Sequence, residues 1–65
     1  MKNYLIIQIT NSGQAFDNPT AETARILRQL ADRIETGNPP EILRDINGNR
    51  CGEVSHHPDF FETEE

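Results

Sequence analysis

Residues 41–55 read Glu41-Ile42-Leu43-Arg44-Asp45-Ile46-Asn47-Gly48-Asn49-Arg50-Cys51-Gly52-Glu53-Val54-Ser55. An Asn-Gly pair between two short apolar runs is a strong local signal for a β-hairpin. Residues 41–46 and 49–55 are therefore read as its two strands. Two registers compete. A two-residue loop, Asn47-Gly48, sets Leu43 opposite Gly52 and Arg44 opposite Cys51. A three-residue loop, Ile46-Asn47-Gly48, sets Asp45 opposite Asn49 and Leu43 opposite Cys51. The second is favoured because it pairs apolar with apolar and places Gly48 where a type I turn plus bulge needs a left-handed residue. It also puts Ile42 and Val54 together on the other face, and a one-residue slip would break up both groups.

Upstream, residues 2–10 alternate as a strand, with Leu5, Ile7 and Ile9 on one side and Tyr4, Ile6 and Gln8 on the other. Between strand and hairpin lies a helix from about Pro19 to Thr36. Asn18 is placed as its N-cap, Pro19 sits at its first position, and Gly37 followed by Pro39-Pro40 ends it. Ala24, Leu27, Leu30, Ala31 and Ile34 form the expected apolar stripe, with Ile26 at its edge. Glu22 with Arg25, and Arg28 with Asp32, are spaced to meet on the surface.

Topology follows from length. A strand of about eight residues spans roughly 26 Å, and a helix of about 18 residues spans roughly 27 Å. The helix returns along the whole strand, so the next strand runs parallel to the first and the last runs opposite to both. Placing the last strand in the middle makes every pairing antiparallel. The expected fold is α+β: β-α-β-β, a three-stranded antiparallel sheet in the order 1-3-2 with one helix on one face. Residues 1–55 form this domain, and residues 56–65 an acidic tail.

The 65-residue chain carries a net charge of −5. Residues 1–52 hold six acidic and six basic side chains, so the surplus lies in Glu53, Asp59, Glu62, Glu64 and Glu65. Direct binding of nucleic acid is disfavoured, since phosphate repels such a balance. A single cysteine permits no internal disulfide and suits a reducing cytoplasm. No apolar run reaches the roughly 20 residues of a membrane span, and the N-terminal run lacks a signal-peptide pattern.

No motif for chemistry is present. His56, His57, Asp59 and Glu62 have metal-ligand types, but adjacent histidines without a second cluster are not a usual ligand set. Cys51 is read as a small apolar filler of the core. Asp45-Ile46-Asn47-Gly48-Asn49 lacks the length of a calcium loop and its terminal Glu. The helix arginines alternate with acids, which describes a solvated face. No enzyme activity and no cofactor are expected. Two readings of the sheet's second face stay open. Pro58–Phe61 could fold back over Tyr4, Ile6, Ile42 and Val54, or that face could bind a partner. The acidic tail is either an aid to solubility or a set of carboxylates that meets a basic surface.

The run Asn18-Pro19, Glu22, Ala24-Arg25-Ile26-Leu27-Arg28, Leu30-Ala31-Asp32, Ile34, Gly37, and Leu43-Arg44-Asp45-Ile46-Asn47-Gly48-Asn49 with Gly52 resembles very small proteins encoded by bacteriophages and integrated mobile elements of proteobacteria. The likeness covers roughly residues 16–54 and involves no chemical motif. Some small acidic phage proteins of this kind are anti-CRISPR proteins, which bind CRISPR effector complexes and block DNA recognition, sometimes as DNA mimics. The resemblance implies a stoichiometric inhibitor, a monomer in the cytoplasm of a host bacterium. Its partner would be a basic nucleic-acid-binding protein such as a CRISPR effector subunit. Glu53, Asp59, Glu62, Glu64 and Glu65, helped by Asp45 and Glu41, are the expected phosphate surrogates, with Phe60 and Phe61 as apolar contacts. The alternative is a small accessory or regulatory module that binds another protein.

Overall fold

A computed structural model describes residues 3–10 and 13–62. The elements in chain order are β1 (Leu5–Ile9), a single 3-10 turn (Gln14–Phe16), α1 (Pro19–Glu35), β2 (Ile42–Arg44) and β3 (Arg50–His56). β3 lies in the middle, antiparallel to both neighbours, in the order β1-β3-β2. This is the β-α-β-β arrangement expected from the element lengths.

α1 starts and stops where its sequence says it should. The Asn18 side chain accepts a hydrogen bond from the Ala21 amide at 3.3 Å, and Pro19 occupies the first turn. At the other end Gly37 adopts φ 83°. The Asn38 and Gly37 amides donate to the Arg33 and Ile34 carbonyls, both at 2.9 Å, closing the last turn.

The buried face of α1 is rotated from the expected stripe. Ile26 is 2% exposed and Leu30 is buried, whereas Leu27 is 40% exposed. The inward line is Glu22, Ile26, Leu30 and Ile34, one residue every four. Glu22 heads it as a buried carboxylate, which disguises the line as mixed. Among the described residues no ion pair joins Arg28 to Asp32, while the Glu22–Arg25 pair forms at 2.7 Å.

The hairpin uses both competing registers in turn. At the loop Asp45 pairs with Asn49, its amide donating to the Asn49 carbonyl at 2.8 Å. Gly48 takes φ 86° in the three-residue loop. Arg44 pairs with Arg50, but Leu43 then pairs with Gly52 and Ile42 with Glu53. Cys51 is the extra residue of a β-bulge. The bulge explains how Cys51 and Val54, three apart, are both buried: in an unbroken strand they would face opposite sides. Val54 therefore belongs to the core and not to the second face with Ile42. It also brings Gly52 against β1. A Cβ on Gly52 would collide with the Gln8 carbonyl oxygen and lie 3.2 Å from the Ile9 Cα, so only glycine fits.

The core comprises Phe16, Ile26, Leu30, Leu43, Cys51 and Val54, with Leu5, Ile9, Ala15 and Ile34 packed against it. Each buried aliphatic side chain contributes roughly 1.5–3 kcal/mol, so this single layer suffices for one small sheet and one helix. Phe16 enters it from the 3-10 turn, where no periodicity announces it.

Candidate protein-interaction surface

The second face of the sheet is built by alternate residues of all three strands. Ile6 pairs with Ser55, Gln8 with Glu53, and Ile42 with Glu53, so these side chains share the side away from α1. Ile6 is 53% exposed, Tyr4 46% and Ile42 40%. Arg44 and Arg50 lie across from one another on the same side. Arg50 Nη2 donates to Glu53 Oε1 at 3.1 Å, and both side chains remain more than half exposed. An open depression lies on each side of this pair. One is bordered by Gln8 and Thr10, the other by Glu41, Ile42 and Ser55. The surface is thus an apolar centre with a mixed, partly self-neutralised charge pattern.

The tail touches this face only at its end, where the His57 ring meets Tyr4 edge-on with centroids 5.9 Å apart. The His57 amide donates to the Tyr4 carbonyl at 3.0 Å, extending the β1–β3 ladder by one pair. The chain then turns: the Phe60 amide donates to the His57 carbonyl at 2.9 Å, and the Glu62 amide to the Asp59 carbonyl at 3.1 Å. Phe61 meets the His56 ring edge-on, with centroids 4.9 Å apart, and Phe60 stacks edge-on against Phe61 at 5.0 Å. His56 pairs with Leu5, on the helix side of the sheet. Phe61 therefore lies against His56 on the helix side of the strand end, with Phe60 outside it and exposed.

The expected carboxylates are dispersed. Glu53 lies on the open face, paired with Arg50. Glu41 precedes β2, its carbonyl accepting from the Val54 amide at 2.9 Å, with its side chain exposed. Asp45 is buried, and its Oδ1 accepts from the Asn47 and Asn49 amides, both at 2.9 Å, so it organises the hairpin turn. Asp59 and Glu62 are exposed beyond the end of β3. The Asp59 amide donates to His57 Nδ1 at 3.1 Å. Phe60 is exposed and Phe61 half-buried. Glu64 and Glu65 lie outside the described residues.

Glu22 is the polar residue whose role sequence reading missed. Its Oε2 accepts from the Ile46 amide at 2.9 Å, and its two oxygens accept from Arg25 Nε at 3.0 Å and Nη2 at 2.7 Å. The Arg25 bond is the main cause that holds its carboxyl below the ordinary range, against burial, which pushes it up. Its place on the Ile26–Leu30–Ile34 line was the available signal. Cys51 is buried, and its thiol is pushed up, first by burial and then by Asp45, which disfavours the thiolate. Among the described residues no cluster of three or more His, Cys, Asp or Glu side chains is arranged to hold a metal ion. No helix among them is long and apolar enough to cross a membrane.

Comparison with protein-family models, with curated proteins and with solved structures yields no match.

Proposed function

We propose that this protein acts by stoichiometric binding, as an inhibitor that seats its open sheet face on a basic nucleic-acid-binding surface of another protein. The observation that supports this most is the exposed apolar centre of Ile6 and Ile42, flanked by Tyr4, which the His57 ring meets edge-on. Such a patch on so small a sheet is suited to burial against a partner. The surplus negative charge after residue 52 supplies the second component, with Asp59 and Glu62 exposed past the end of β3. Carboxylates at the rim raise the rate of encounter with a basic surface, and the apolar centre holds the complex once formed. The resemblance to small phage and mobile-element proteins, some of which are anti-CRISPR proteins, makes a CRISPR interference complex the first target to test.

A second reading draws on the internal partners of Glu53 and Asp45, which leave fewer free acids for mimicry of phosphate. It is an accessory module of a mobile element that binds through the same apolar face without needing a basic groove. Salt separates the two. DNA binding by a purified interference complex should fall with added protein at equimolar ratio, and less so at high salt. The Ile6→Asp/Ile42→Asp double variant should lose this effect, and a chain truncated after His57 should lose part of it. Unchanged DNA binding at excess protein overturns the inhibitor reading. Full inhibition by the double variant removes the open face from it.

A further inference from the structure

The edge of β1 carries an unused set of backbone groups. The His57 amide donates to the Tyr4 carbonyl and the Thr10 amide to the Cys51 carbonyl. Antiparallel ladders alternate, so the even residues Tyr4, Ile6, Gln8 and Thr10 aim their N–H and C=O groups at β3. Leu5, Ile7 and Ile9 aim theirs outward. Among the described residues no hydrogen bond uses those outward groups. The Val54 amide, turned toward β2, confirms the same alternation on β3.

Among the described residues this edge lacks the usual local protections. It has no proline, no bulge and no charged side chain between Asn3 and Thr10. β2, the opposite edge, is three residues long and bulged against its neighbour. Ile7 lies on the helix-facing side, opposite the buried Val54, yet is 39% exposed, and among the described residues no strand flanks it on the outer side.

We propose that β1 pairs with β1 of a second copy of this chain, antiparallel about a two-fold axis at Ile7, to give a continuous six-stranded sheet. In this register Ile7 meets Ile7, and Leu5 meets Ile9 of the second copy. Every outward N–H and C=O of these three residues then finds a partner. The same register stacks Leu5, Ile7 and Ile9 of both copies under the two helices. Self-complementarity is what selects a second copy as the occupant: the segment is uncharged, so two copies bring no like charges into contact. The acidic turns do not oppose it either. Each lies beside its own Tyr4, at opposite corners of the joined sheet. Three strand spacings and six residue rises separate them by roughly 25 Å, well beyond the screening length of about 8 Å at physiological salt.

Sedimentation of the full chain from micromolar to millimolar concentration tests this, together with backbone amide exchange followed by NMR. The expected mass at the upper end is twice 7.4 kDa. The Leu5, Ile7 and Ile9 amides should exchange at least about tenfold more slowly in the dimer than on dilution, while Ile6 and Gln8 stay protected throughout. Ile7→Lys sets two ammonium groups at the axis. Ile7→Pro removes one outward N–H and no bond within the chain. Each should raise the dimer dissociation constant at least about tenfold with the helical circular dichroism retained. A monomer mass throughout, or a dimer whose Leu5, Ile7 and Ile9 amides exchange freely, overturns the proposal. The amide measurement needs only the natural chain, so it decides even if a variant fails to fold. Either result leaves the open-face reading to its own test.

Discussion

The carboxylate of Glu22 accepts from Arg25 and from the Ile46 amide, tying the first turn of α1 to the loop of the hairpin. Half of this was legible. Three-residue spacing announces the Arg25 contact. The Ile46 contact joins residues 24 apart and appears only once the helix lies on the sheet. Because the folded state holds the Glu22 carboxyl below its ordinary range, the unfolded chain takes up a proton here first as pH falls. The stabilisation is complete above the ordinary carboxylate range and is lost as pH drops through the folded-state value. Glu22→Gln keeps an acceptor for Ile46 but loses the charge. Urea midpoints should favour the natural chain at neutral pH, with the difference shrinking toward strongly acidic pH. A difference that does not change with pH would show that the charge is irrelevant.

At the scale of elements, caps and turns were readable because they depend on neighbours in sequence: Asn18, Pro19, Gly37 and the Asn47-Gly48 loop each act within a few residues. Which face of a helix turns inward depends on the whole. Reading hydrophobicity alone centred the stripe on Leu27, since Glu22 made the Ile26 line look amphipathic. Ile26→Ala should therefore destabilise by about 2–4 kcal/mol, and Leu27→Ala by less than about 1 kcal/mol. Equal losses in chemical denaturation would restore the expected stripe. The bulge was hidden for a related reason. Each register satisfied half of the hairpin, and nothing local showed that Cys51 could be skipped so that both hold.

For the molecule as a whole, strand order followed from two lengths and the preference for antiparallel pairing. The open face was read in part: Tyr4, Ile6 and Ile42 lie where alternation puts them, while Val54 crossed to the core through the bulge. The destination of Phe60 and Phe61 was not readable, because both sides of the sheet offer apolar contacts and nothing local in the sequence chooses between them. The central position of β3 has a consequence for the order of synthesis. β1 and β2 touch only β3 within the sheet, so neither has a strand to pair with until residues 50–56 have been made. The first forty-nine residues can form a helix but no sheet. A fragment of residues 1–49 should therefore show only partial helicity and no cooperative thermal transition, and a separate peptide of residues 50–62 should restore that transition on mixing. A cooperative transition in the fragment alone would mean that β3 is dispensable. Translation of this chain thus delivers the central strand after both of its neighbours, and the sheet waits for it.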